Sequence, residues 1–204
     1  MLKLLALIKQ GLATLVRRLR TNGLRPTFTW LHGQGIPKLT GIPAMKYSRV
    51  TSEIYVGPQF RKTGKEVLEN MGINGSVNLR LEFDDAAHDL AMKSYCYIPV
   101  VDGDAPSLEQ LNHGVAFIRQ IIARGEKVYI HCHGGVGRAP TLATAYFISQ
   151  GYTLAKAIEL IGKARPFIDI NPVQMEQLKR FEAIIGVKGQ QGMLMDISQY
   201  ALCS

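Results

Sequence analysis

Cysteine is scarce in this chain of 204 residues: Cys96, Cys132 and Cys203 are too few and too scattered for a disulfide framework. No close Cys/His spacing of the zinc type accompanies them, so no metal and no cofactor are expected. This usage fits a reducing compartment, and a cytoplasmic location is the expectation. Acid is missing altogether from residues 1–52, which carry nine Lys or Arg. From Glu53 onward fifteen basic residues face sixteen acidic ones, so the formal charge of +8 belongs to the N-terminal segment. Also missing is an apolar run of the roughly 20 residues that a membrane span needs. A signal peptide is excluded because Lys9 interrupts the apolar stretch and no small-residue cleavage site follows. The lack of serine in residues 1–24 argues against an organelle-targeting peptide.

What that N-terminus does have is helical period. At 100° per residue Leu4, Leu5, Ile8, Leu12, Leu15, Val16 and Leu19 share one face, with Lys3, Lys9, Arg17, Arg18 and Arg20 elsewhere. Such a helix either packs on its own domain or a twin chain, or lies on an anionic membrane through residues 1–20. Nucleic acid is not expected, because nothing downstream continues the basic stripe. The chain therefore divides into a basic amphipathic helix (1–24), a linker or strap (25–48), a main globular domain (49–186) and a C-terminal tail (187–204). In the strap, Trp30, with Phe28 and Tyr47 nearby, is expected to serve as an anchor.

From residue 49 the pattern alternates. Strands are expected in "RVTSEIYVG", "GSVNLR", "YCYIPVV" and "KVYIH"; a helix runs through "FRKTGKEVLENMG", and a short one through "FDDAAHDLAMKS". Ser107 and Gln110 form a capping box before another helix, and three more helices follow the last strand, the final one from Asn171 to Ile185. The fold class is α/β, a central mixed, mostly parallel sheet flanked by helices, with the N-terminal amphipathic helix attached.

The stretch "VYIHCHGGVGRAPT" (128–141) runs strand, glycine-rich turn, helix start. Consecutive backbone N–H groups at such a turn, with the helix N-terminus behind them, bind anions. Gly134, Gly135 and Gly137 allow close approach, and Cys132 at the base of that cradle should lose its proton easily. Arg138 can return over the turn and grip phosphate oxygens with its planar fork. Together these residues describe a nucleophile aimed at phosphorus.

"HCHGGVGR" resembles the His-Cys-x5-Arg signature of the protein tyrosine phosphatase superfamily, in its dual-specificity branch, and the resemblance spans residues 49–185. It implies a two-step hydrolysis in which Cys132 carries the phosphoryl group as phosphocysteine and Arg138 and the turn His133, Gly134, Gly135, Val136 and Gly137 hold it, with no metal. It also implies a general acid after the preceding strand, at Asp102 of "IPVVDGD", with Asp104 as the substitute; Asp84, Asp85 and Asp89 lie too early. His131 is expected to hold the loop. His133 stands at the rim, where it either meets substrate or offers only its backbone. Asn171 and Gln174 fall where some relatives position water, yet with Pro172 they also spell a helix cap, the preferred reading. Arg165 is read as structural or peripheral to the phosphate, and Cys96 as a buried strand residue. One departure stands out: Ala139 occupies the place where the family carries a Ser or Thr hydroxyl, and Thr141 lies one turn too far along to replace it.

The expected partner is a phosphorylated protein, Tyr as well as Ser/Thr. A membrane lipid monophosphate and a glucan, the latter suggested by the "GRAP" spelling, are alternatives, as is a phosphate-binding module with weak catalysis. The absence of lysine from the loop speaks against polyphosphorylated inositol lipids.

Overall fold

The computed structural model describes Arg20 and residues 24–190. The amphipathic helix expected over 1–24 and the end of the C-terminal tail lie outside the described residues. Four strands form one sheet: β1 (Ile54–Gly57), β2 (Ile73–Arg80), β3 (Ser94–Val100) and β4 (Lys127–His131), in the order β1-β4-β2-β3. All three pairings are parallel, and the mixed element is confined to an isolated antiparallel bridge between Arg49 and Tyr55. β1 is shorter than the pattern suggested because Val50 and Thr51 turn back to the Ile54 carbonyl.

Alternation along the strands sends side chains to both faces. Ile54 and Val56 of β1 and Val128 and Ile130 of β4 join the large core, whereas Tyr55 and Tyr129 enter a smaller cluster on the opposite face with Phe60, Leu68 and Ile73. The large core is covered by α4 (Leu108–Ala123), α5 (Arg138–Ser149), α6 (Leu154–Ala164) and α7 (Pro172–Gln190), and the small one by α3 (Lys62–Asn70). The capping box of Ser107 and Gln110 opens α4 as expected. The short helix expected in "FDDAAHDLAMKS" reduces to one 3-10 turn, Ala86–His88, which Asp89 closes in the left-handed region.

Residues 24–40, largely within the segment expected to be a linker or strap with little periodicity (25–48), are helical: α1 (Leu24–Trp30), a π-helical turn (Leu31–Gly35) and α2 (Ile36–Thr40). Two glycines and two prolines hide the period in the sequence. This strap meets the turn after β4 at its π turn, where the buried Gln34 bonds Gly134 O and a Cβ on Gly33 would overlap the Phe167 ring. Phe28, beside the expected anchor Trp30, is 64% exposed, with its ring against His32. Tyr47 does pack on the domain, edge-on to Phe167.

Because all four strands are parallel, their C-terminal ends lie on one edge of the sheet. The segments leaving β1, β2, β3 and β4 there converge on one place.

Candidate active site

Cys132 follows the last residue of β4 and is buried. The turn after it is fixed by its carbonyls, every one of which is bonded away from the centre. His133 O accepts from Gln59 N at 3.2 Å, Val136 O from Asp169 N at 2.7 Å, and Gly137 O from Thr141 N at 2.9 Å. Gly134 O accepts from Gln34 Nε2 at 2.6 Å and from Arg165 Nη2 at 2.9 Å, and Gly135 O from Arg165 Nε. Peptide units with their oxygens turned outward present their N–H groups inward, the geometry of an anion cradle. Gly135 N donates to Cys132 Sγ at 3.2 Å. Gly135 has φ of 64°, and a Cβ there would collide with the backbone of Gly57 at the end of β1, so glycine is required twice over.

Arg165 is therefore a fastener of the loop. Its third nitrogen donates to Tyr47 O at 2.8 Å, and all of its hydrogen bonds go to carbonyl oxygens. Burial pulls its guanidinium down to about 10, which leaves it cationic at neutral pH beneath the cradle. The Phe167 ring covers it at 4.6 Å.

Arg138 opens α5 and returns over the loop, nearly fully buried. Nη1 donates to Val100 O at 2.7 Å, Leu79 O at 3.2 Å and Glu82 Oε2 at 2.9 Å; Nη2 donates to Glu82 Oε1 at 3.0 Å. Asp102 Oδ1 lies 2.8 Å from Nη2. Nε is buried and has no hydrogen-bond partner among the described residues. A buried donor of that kind, on the cation over an anion cradle, is available to an oxygen of a bound phosphate. The Arg138 guanidinium holds the Glu82 carboxyl down at about 2, against the opposing push of partial burial, and Arg80 assists.

Behind the cysteine, His131 Nε2 lies 2.8 Å from Asp85 Oδ2, both side chains closed to solvent. Gln59 Nε2 donates to the other Asp85 oxygen at 2.8 Å. Burial pushes the Asp85 carboxyl up, but His131 and Gln59 outweigh it and hold it below the usual range. His133 is exposed at the rim. Partial burial, then the nearby cations Arg80 and Lys38, pull its imidazole below the ordinary value.

Asp102 stands at the mouth on the loop after β3, its side chain 77% exposed. Asp104 is also exposed, but its backbone serves the loop: its N–H bonds Val101 O, and its carbonyl accepts from Gln174 Nε2 at 3.0 Å. Asn171 Nδ2 donates to Gly103 O at 2.6 Å and Gln177 Nε2 to Pro106 O at 3.0 Å, so three amides on or next to α7 hold the acid loop. Asn171 and Gln174 also close a reciprocal capping box, Asn171 N to Gln174 Oε1 and Gln174 N to Asn171 Oδ1. Ala139 is fully buried behind the loop. Thr141 bonds its hydroxyl to Gly137 O at 2.9 Å, within its own helix, and does not stand in for the missing Ser or Thr. Cys96 is buried in β3. Among the described residues no three His, Cys, Asp or Glu side chains are grouped to hold a metal.

Glu82, Asp85 and Gln34 were not legible as site residues. Glu82 lies two positions past β2, as Asp102 lies two past β3, so the parallel topology itself would have pointed to it. Asp85, too early in the chain for the acid role, turns out to be the carboxylate that a buried His131 requires.

Residues 54–184 match the family model "Dual specificity phosphatase, catalytic domain". Mouse "Dual specificity protein phosphatase 1" is 28% identical over 136 residues, which is 66% of this chain and 36% of that protein. Mouse "Phosphatidylglycerophosphatase and protein-tyrosine phosphatase 1" is 42% identical over 77 residues, 37% of this chain and 40% of that protein. The chain thus spans about two fifths or less of these two relatives. Among solved structures, PTPMT1 in complex with PI(5)P superposes with a TM-score of 0.64 at 26% identity, covering 69% of this chain and 97% of the other. Human DUSP28 follows at 0.63 and 25% identity, covering 69% and 99%.

Proposed function

Since the chain belongs to the dual-specificity phosphatase catalytic-domain family, of the cysteine-dependent type, we propose that it hydrolyses phosphomonoesters through a phosphocysteine on Cys132. The observation that carries this is the outward bonding of every carbonyl from His133 to Gly137, with Gly135 N–H turned onto the sulfur. In the first step the Cys132 thiolate forms the S–P bond as the ester O–P bond breaks, and Asp102 delivers its proton to the leaving oxygen. Arg138 Nε and Nη2 take two phosphoryl oxygens, with the Asp102 carboxyl giving up Nη2 to turn toward the leaving group. In the second step water forms the new P–O bond, Asp102 takes the water proton, and the S–P bond breaks to free inorganic phosphate. His131, oriented by Asp85, and Arg165 keep the cradle in shape.

The substrate we propose first is a phosphorylated protein, Tyr and Ser/Thr, as the name of the mouse relative suggests. A second reading, a phospholipid monophosphate, is favoured by the higher identity to the phosphatidylglycerophosphatase relative over its shorter match.

The test is turnover of aryl and alkyl phosphates. Cys132→Ser is expected to abolish both. Asp102→Ala should cost about 10²- to 10⁴-fold on an alkyl phosphate and far less on an activated aryl one. Turnover by the serine variant equal to that of the parent sinks the nucleophile assignment. If Asp104→Ala gives the alkyl-selective loss, the acid is Asp104.

A further inference from the structure

We propose that the rim of the cradle and the outer face of the strap form a docking surface for an anionic lipid bilayer, so that the phosphate is met as a headgroup in the plane of a membrane. This rests on the second of the two substrate readings.

The rim charges are placed by their bonds: Lys38 lies four residues past Gln34, whose amide bonds Gly134 O; Arg80 Nη1 donates to Gln59 Oε1 and Gln59 N to His133 O; and Asp102 and Glu82 pair with Arg138. Each lies beside an exposed aliphatic residue. Leu39 follows Lys38 and is 78% exposed; Leu81 follows Arg80 at 54%, and Val101 precedes Asp102 at 51%. Leu81 and Val101 are neighbours in space, since Leu81 N bonds the Val100 carbonyl. Apolar side chains thus flank the mouth from the acid-loop side and from the strap side. Isolated exposed aliphatics need no explanation, but a set placed around one opening marks a contact surface.

Charge decides what covers it. The strap and the turn after it, residues 24–49, hold Arg25, Lys38, Lys46 and Arg49 and no acid. The two acids on the rim are bound inward to Arg138, which leaves Lys38 facing out. Aliphatic side chains that enter an interface, with cations beside them for anionic headgroups, are the elements of a surface-bound protein. The strap is also fastened to the cradle through Gln34 to Gly134 O, and to the start of α3 through Arg61 to the Leu39 carbonyl. A membrane seated on Leu39 would therefore face the opening of the cradle at a fixed height.

The experiment uses the full chain and its Lys38→Glu/Leu39→Asp double variant, with an Arg17→Glu/Arg18→Glu variant as control for the N-terminal segment. Cosedimentation is measured on phosphatidylcholine vesicles with and without phosphatidylglycerol. Turnover is measured on a soluble aryl phosphate, a phosphopeptide and a vesicle-borne phospholipid monophosphate. The parent is expected to bind the phosphatidylglycerol vesicles selectively, and the rim variant to lose about tenfold in binding and in vesicle-borne turnover while aryl phosphate turnover stays within about twofold. Unaltered vesicle binding in the rim variant, with loss only in the Arg17/Arg18 variant, overturns the proposal. So does a parent that ignores the vesicles, and so does a rim variant impaired on the phosphopeptide instead, which would make this a protein-docking face. A parent inactive on every phosphomonoester sinks the phosphatase reading, while the vesicle-binding arm still judges the surface.

Discussion

Ala139 is the residue at which this site departs from its family, and the structure shows why nothing nearby compensates. The side chain is sealed behind the loop, and the next hydroxyls along the helix, those of Thr141 and Thr144, are committed to Gly137 O and Pro140 O. In the proposed second step the departing sulfur would therefore lack the hydroxyl donor that the resemblance implies at this position. A hydrogen bond to a charged group is worth about 1.5–3 kcal/mol. Ala139→Ser is accordingly expected to speed phosphocysteine breakdown by about tenfold or more. Burst kinetics on an aryl phosphate check this: the burst of the parent should shrink in the variant, and an identical burst would show that sulfur departure is not limiting.

At the scale of elements, the strap is where sequence and structure part. Its period is broken by glycine and proline, and its value lies in one buried amide, Gln34, which reaches 100 positions along the chain to Gly134 O. Local pattern carries no signal for such a contact. The loop–helix unit from Cys132 to Ser149 was legible because strand, glycines and helix start are contiguous, and the caps at Ser107 and Asn171 because they are spelled within four residues. Glu82, Asp85 and the loop-holding role of Arg165 depend on tertiary neighbours and were not. Gln34→Ala is expected to cost about 1–2 kcal/mol of stability in chemical denaturation, through the lost bond and the space left behind. Gln34→Glu should lower kcat/KM for an aryl phosphate well beyond the alanine variant, because a carboxylate would then be set against the Gly134 carbonyl and add negative charge beside an anion cradle. Equal activity of the two variants would mean that the strap does not reach the loop.

For the whole molecule, the same charges that build the mouth tie stability to pH. The Glu82 carboxyl falls from an ordinary 4.5 to about 2 in the folded chain. A lowered acid supports the fold fully above its unfolded value, and that support is lost as pH falls through its folded value. The melting temperature of Glu82→Gln should therefore lie below that of the parent at pH 5 and above, with the gap closing between about pH 4.5 and 2. A gap that persists at pH 2 would show that the substitution acts through packing and not through its charge. Asp85 shifts in the same direction, so the acid limb of the parent is expected to be steep.

Arg165 fastens a loop that lies 30 and 31 positions earlier in the chain. During synthesis Cys132 thus leaves the ribosome well before the residue that shapes its surroundings. Until the end of α6 has emerged and docked, the turn after Cys132 lacks the guanidinium that holds the Gly134 and Gly135 carbonyls. The cradle is thus a property of the completed domain, assembled only when its last two helices are in place.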